Sequence, residues 1–126
     1  MAKALIVDDE VAVIESFKMI LGMKNFDVNT AQNIDEAEKV MKQGPYDIAF
    51  IDMRFHNEDL GLVILKKLKE IDPNLQAVIC TAFASEETKI QAIEIGAMDY
   101  ISKPFTVDAI YELADMAIEH RKKQKG

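Results

Sequence analysis

The chain has 126 residues, with 22 Asp plus Glu against 15 Lys plus Arg, one Cys, no Trp and a hydrophobic share of 49%. This length suits a single domain with a sizeable core and leaves no room for a second catalytic or DNA-reading domain, and the composition excludes a disordered or fibrous chain. The formal net charge is −7 although Arg121, Lys122, Lys123 and Lys125 crowd into the last six residues, so the rest of the chain is more acidic still and is expected to repel nucleic-acid phosphates rather than bind them.

Two segments are expected: a domain over residues 1–120, and a basic C-terminal tail or start of a linker over 121–126. Cations there suit the C-terminal dipole of a last helix. The lone Cys80 excludes a disulfide framework and, by itself, a zinc site; its apolar run Ala77 to Cys80 makes it a buried structural thiol. The N-terminal apolar stretch is too short for a signal peptide, and no run reaches the ~18 apolar residues of a membrane span. A reduced, soluble, cytoplasmic setting without membrane contact is the expectation.

Short apolar runs alternate along the chain with segments of helical period. Ala4 to Val7 reads as the first strand, and Ile14, Phe17 and Leu21 mark the helix after it. Phe26 to Thr30 reads as the second strand, followed by a helix on Ile34, Ala37 and Met41 that Asn33 can cap. Ile48 to Ile51 is the third strand, and the helix on Ile64, Leu65 and Leu68 ends at Asp72-Pro73. Ala77 to Cys80 is the fourth strand; Ser85-Glu86-Glu87-Thr88 opens the next helix, which Gly96 closes. Met98 to Ile101 is the fifth strand, and Ile110, Leu113, Ala114, Ala117 and Ile118 define the last helix. Strands that are apolar throughout belong in a parallel sheet covered on both faces. The fold class is α/β, a single doubly wound sheet of five parallel strands with five helices.

Ligands of such sheets bind outside the carboxyl ends of the strands. The first strand ends in Asp8-Asp9-Glu10, the third in Asp52 and the fourth in Thr81, and Lys103-Pro104 follows the fifth. Singly, each is an ordinary capping, turn or surface residue. Together, converging carboxylates raise one another's pKa unless a cation sits among them. Oxygen ligands with no His or Cys among them select Mg²⁺, and Thr81 with Lys103 supplies donors for a phosphoryl oxygen. With the acid pair on the metal, the Asp52 carboxylate is left as the nucleophile.

Asp8-Asp9, Asp52, Thr81-Ala82 and Lys103-Pro104, with Tyr100 three residues before the lysine, resemble the receiver domain of two-component response regulators from about Lys3 to Ile118. The resemblance implies a flavodoxin-like sheet of order 2-1-3-4-5. It also implies phosphorylation of Asp52 by a sensor histidine kinase or phosphotransfer protein, without enzymatic activity beyond the domain's own phosphorylation and dephosphorylation. Asp8, Asp9, Asp52 and the backbone carbonyl of Arg54 would hold Mg²⁺. Thr81 and Lys103 would bind phosphoryl oxygens, and Tyr100 would turn inward as Thr81 moves, with room left by Ala82. The bond before Pro104 would be cis. The surface of the fourth helix, fifth strand and fifth helix would carry the signal, to a partner or to a second copy in a homodimer. The segment Gly96 to Phe105 looks most like receivers joined to ATPase-type transcription activators.

The loop after Asp52 departs from the family. Family members commonly carry Met-Pro after the acceptor and a glycine eight residues on; here the proline is missing and Gly61 is one residue late. A one-residue insertion and a more mobile loop are expected, with His56 an ordinary exposed residue. Arg54 and Phe83 border the path of attacking water: Phe83 is expected to shield the acyl phosphate, and the direction of Arg54 stays open. Among rivals, a flavodoxin-type carrier would not place Asp8-Asp9-Glu10 against a flavin phosphate. A haloacid dehalogenase-type hydrolase expects an acid where Arg54 stands. A pseudo-receiver that only binds partners has no use for the whole set.

Overall fold

The computed structural model describes residues 1–125, with side chains through Lys123. The strands β1 (Lys3–Val7), β2 (Asp27–Ala31), β3 (Ile48–Asp52), β4 (Ala77–Thr81) and β5 (Asp99–Ser102) form one parallel sheet in the order β2-β1-β3-β4-β5. Between and after them run α1 (Val11–Gly22), α2 (Ile34–Met41), α3 (Gly61–Ile71), α4 (Glu86–Ile95) and α5 (Val107–Lys125). This is the expected flavodoxin-like order. No helix among the described residues is long and apolar enough to cross a membrane.

β3 and β4 are buried at every position, which is why their sequences are apolar runs and not alternations. Leu5, Val7, Ala49, Ile51, Ala77 and Ile79 pack on one face with residues of α2, α3 and α4. Ala4, Ile6, Ile48, Phe50, Val78 and Cys80 pack on the other with α1 and α5. β2 and β5 each begin one residue later than the apolar runs suggest. Phe26 is still in the turn after α1, its N–H donating to Leu21 O, while its side chain joins the second core. Met98 likewise reaches Ala77 O at 2.7 Å just before β5 begins. Apolarity marks burial there, and ladder pairing starts a residue later.

The expected caps are present. Asn33 Oδ1 accepts the Glu36 N–H at 2.9 Å while Glu36 Oε1 accepts the Gln32 N–H, a reciprocal cap of the α2 N-terminus. Ser85 Oγ accepts the Thr88 N–H, and Gly96 closes α4 at φ 119°, where a Cβ would also come within 2.9 Å of Lys69 Cε. Charge alone groups Arg121 with the basic tail, but the structure packs it into the amino edge of the sheet. It is 4% exposed, with Nη1 3.1 Å from Asp72 Oδ2 and 2.9 Å from Asn74 O. Its burial comes from the loops before β3 and β4, which the basic run could not reveal; Lys122 and Lys123 are exposed.

Candidate functional site

Strand register sets the site. Val7 pairs with Ile51, Ile51 with Ile79, and Ile79 with Tyr100, so Asp8 just after β1 and Asp52 and Thr81 at the last positions of β3 and β4 emerge together at the carboxyl edge. Asp8 and Asp52 are 3% and 7% exposed, and Thr81 is 2% exposed. Lys103 leaves β5 with its N–H donating to Thr81 O at 2.7 Å. Its Nζ lies 3.1 Å from Asp52 Oδ1 and 3.4 Å from Asp8 Oδ2. Asp9, Glu10, Asp52, Arg54, Thr81 and Lys103 share the lining of one cleft of about 250 Å³.

These groups are tuned by burial and by one another. Desolvation pushes the Asp8 carboxyl up to about 6, opposed by the Glu10 N–H at 2.9 Å and reinforced by the Asp52 charge. Asp52 is raised by burial, which the Lys103 hydrogen bond and charge partly offset. Burial alone would lower Lys103, but Asp8 and Asp52 outweigh it and leave the ammonium above its ordinary value. Cys80, beneath the site, is pushed up by complete burial and is an inert thiol.

Carboxylate oxygens of Asp8, Asp9 and Glu10 lie within 4.8 Å of one another. The sequence pointed to Asp52 as the third acid; the structure gathers Glu10 with the pair, while Asp52 joins through the Lys103 ammonium. Glu10 was legible only as the acid next in line; in the fold it stands at the N-cap of α1 with its N–H donating to Asp8 Oδ1. A donor set made solely of hard carboxylate oxygens, one of them raised by burial and further by the Asp52 charge, fits Mg²⁺.

The loop after β3 folds into a hydrogen-bonded turn. Phe55 is 2% exposed, and Phe55 and Glu58 exchange N–H···O bonds of 2.8 and 3.0 Å around His56 and Asn57. Those two residues have φ of 50° and 66°, the double left-handed signature of a type I′ turn. The His56 N–H donates to Asp9 Oδ2 at 2.9 Å, which ties the turn to the acid cluster. At Gly61 a Cβ would come within 2.6 Å of Asp52 O and Met53 Cα, so the late glycine is where α3 crosses the end of β3. Arg54 Nε is 3.4 Å from Asp59, its Nη2 donates to Asn57 O, and its guanidinium lies over the exposed Phe83 ring at 5.9 Å.

Tyr100 is already turned in, 8% exposed, with its hydroxyl hydrogen bonded to Thr88 Oγ1 and accepting the Ser85 N–H. Ala82 lines the cleft beside Thr81, whose Oγ1 accepts the Phe83 N–H at 3.1 Å. The Lys103-Pro104 bond is cis, as is Gly44-Pro45.

The response regulator receiver domain matches residues 4–115 by its family model. The chain belongs to this family. It is 34% identical over 119 residues to the response regulator protein PilR of Pseudomonas aeruginosa, covering 94% of the chain and 26% of that protein. It is 31% identical over 116 residues to the transcriptional regulatory protein ZraR of Salmonella typhimurium, covering 92% and 26%. The receiver thus spans about a quarter of the length of these curated relatives. Among solved structures, the NtrX receiver domain of Brucella abortus superposes with TM-score 0.84 at 32% identity over 92% of this chain and 98% of that one. A receiver domain protein of Clostridium thermocellum superposes with TM-score 0.89 at 27% identity, covering 98% and 99%. Receivers of this family are signalling modules of two-component regulators.

Proposed function

We propose that this receiver takes a phosphoryl group on Asp52 from the phosphohistidine of a sensor histidine kinase or a phosphotransfer protein. An Asp52 carboxylate oxygen attacks phosphorus, an O–P bond forms as the donor's N–P bond breaks, and the leaving imidazole keeps the electron pair and gains a proton. The observation that carries this reading is Lys103 Nζ set between Asp52 and Asp8 in one cleft with Thr81. Lys103 would pair with one phosphoryl oxygen. The Thr81 hydroxyl accepts the Phe83 N–H and keeps its own proton to donate to another. Asp8, Asp9, Asp52 and the Arg54 carbonyl would hold Mg²⁺, with Glu10 beside them. Bound there, the ion neutralises charge on the transferring group.

Phosphorylation adds about two negative charges at Asp52. Thr81 and Lys103 are drawn toward them, and the segment 82–85 follows. Tyr100 transmits the shift through its hydrogen bonds to Ser85 and Thr88, not through an exposed-to-buried swing. α4 suits a two-state element: Ala92 is its one fully buried residue, and Ile90 and Ile93 are exposed. The α4-β5-α5 surface would then engage a partner or a second copy. The Arg54 guanidinium, paired with Asp59 and lying over the Phe83 ring, supports a cover over the cleft that slows hydrolysis of the acyl phosphate. A cytoplasmic receiver over residues 1–120, with 121–126 a basic tail or the start of a linker, is the accompanying reading; the chain spans about a quarter of the length of its curated relatives. A partner-binding pseudo-receiver gives no reason for Lys103 to bridge two buried acids. Intact-mass measurement after incubation with acetyl phosphate tests the reading: one phosphoryl group is expected with Mg²⁺ and none with chelator, and equal uptake in both would contradict the metal's role.

A further inference from the structure

The segment that joins β4 to α4 is gripped by two hydroxyls. Thr81 Oγ1 accepts the Phe83 N–H at 3.1 Å, and the Tyr100 hydroxyl accepts the Ser85 N–H at 3.4 Å. The Tyr100 hydroxyl is also bonded to Thr88 Oγ1, which lies 2.8 Å from Ser85 Oγ and 3.3 Å from Ser85 O. One assignment of protons satisfies the whole set: the hydroxyls of Tyr100 and Ser85 donate to Thr88 Oγ1, and the Thr88 proton goes to Ser85 O. Thr88 is then the hub that ties β5, through Tyr100, to the first turn of α4. Apolar packing adds little there, since residues 82–87 are exposed and Ala92 is the one buried residue of α4. An open cleft of about 350 Å³, lined by Ala84, Ser85, Glu86, Lys89 and Ser102, adjoins Tyr100 and leaves its ring room to swing out.

We propose that Thr88 is a positioning residue: its hydroxyl holds Tyr100 inward before a phosphoryl group reaches Asp52, and so sets the segment 82–85 in the arrangement that a phosphorylated Asp52 favours. This rests on the reading of Thr81 as the hydroxyl that binds a phosphoryl oxygen. The link is short. Thr88 fixes Tyr100, Tyr100 fixes the Ser85 N–H, and the same segment delivers the Phe83 N–H to Thr81. A phosphoryl group acting at Thr81 and the Thr88 hydroxyl acting at Tyr100 therefore bias one two-state segment, and each strengthens the other. The ring's apolar contacts in the first core also favour the inward position. Loss of the hydroxyl thus shifts the balance by the value of one hydrogen bond and does not empty the inward state.

Nitration of the chain with tetranitromethane, each tyrosine followed by peptide mass, tests the proposal on the parent, Thr88→Val and Thr88→Ser, with thermal melts to check that each is folded. Tyr46, 0% exposed, and the half-buried Tyr111 serve as slow and fast references. Tyr100 is expected to react more slowly than Tyr111 in the parent, about fivefold faster in Thr88→Val, and near the parent rate in Thr88→Ser. A cap that had merely lost a bond would fray α4 without exposing a ring of the core. Acetyl phosphate with Mg²⁺ is expected to restore protection in Thr88→Val, with uptake followed by intact mass. Tyr100 equally protected in the parent and Thr88→Val, or equally exposed in Thr88→Ser and Thr88→Val, overturns the role of the hydroxyl. Tyr100 reacting as fast as Tyr111 in the parent overturns the inward resting state. A phosphorylated Thr88→Val whose Tyr100 stays exposed overturns the link to Thr81. A chain that takes up no phosphoryl group overturns the acceptor reading and that link with it, and the arms without acetyl phosphate still decide whether Thr88 holds Tyr100.

Discussion

Two ionic clusters close opposite edges of the sheet, and they differ in how their charges balance. At the amino edge, Arg121 faces Asp72 and Asp47, and Lys69 donates to the carbonyls of Pro73 and Leu75. Two cations meet two acids, and the spare donors reach backbone oxygens; among the buried side-chain nitrogens and oxygens of the described residues, only Arg121 Nε, 3.8 Å from Asp47, lacks a hydrogen-bond partner. At the carboxyl edge, Lys103 alone faces Asp8 and Asp52, with Asp9 and Glu10 beside them. Asp8 and Asp9 each accept one backbone N–H, but the surplus negative charge itself is left without a cation among the described residues. A neutral cluster fastens α5 to the loops before β3 and β4, whereas an unbalanced one holds a site ready for a cation and an anion.

The contrast can be broken from either side. Arg121→Ala should cost about 2–4 kcal/mol in urea unfolding, since Asp72 and Asp47 lose their cation and the buried stem leaves a gap, while phosphoryl uptake per folded molecule stays at the parent level. Loss of uptake without loss of stability would reverse the roles assigned to the two edges.

Asp8→Asn should do the opposite and stabilise the chain by about 1–3 kcal/mol at pH 7 in chelator, because it removes a buried charge. The sign follows from linkage. Asp8 is raised from 3.8 to about 6 in the folded chain, so between these values the folded state binds more protons than the unfolded one and stability falls as pH rises. The loss is on the order of 3 kcal/mol at most, complete above about pH 6. Urea midpoints across pH 4 to 7 should decline for the parent and flatten for Asp8→Asn; parallel curves would remove Asp8 as the strained group.

Gly61→Ala should cost about 1–3 kcal/mol, because the added methyl meets the Asp52 carbonyl and Met53 Cα, both backbone. A neutral result would mean that the end of β3 yields more easily than its packing indicates. The smallest effect is kinetic: Phe83→Glu removes the ring under Arg54 and should shorten the half-life of the phosphorylated form severalfold, and an unchanged half-life would sink the cover.

Much of this was legible in the sequence, for identifiable reasons. Strands sandwiched between helices leave unbroken apolar runs, and the first polar residue after each run, Asp8, Asp52 or Thr81, is where the chain leaves the sheet. Asn33, Ser85 and Gly96 act within a turn of themselves, so their capping roles could be read locally. What escaped depends on distant partners. Arg121 looks like one more tail cation until the loops carrying Asp47, Asp72 and Asn74 close over it. The turn at His56-Asn57 has no glycine to announce its left-handed backbone, and the loop was legible only from its missing proline and late Gly61. Thr106, whose Oγ1 accepts the Ala109 N–H at the start of α5, was legible in principle and passed over. The placement of the Arg54 guanidinium over the Phe83 ring joins two loops that no local pattern relates.

The central claim is that Asp52 is the acceptor, positioned by Lys103 in an acid cluster that needs a cation. Radiolabelled acetyl phosphate with Mg²⁺, followed by peptide mapping of the parent and Asp52→Asn, tests it most directly. Label on the peptide carrying Asp52 in the parent and none in the variant is the result expected. Label that persists in Asp52→Asn, or that maps to another residue in the parent, would contradict it.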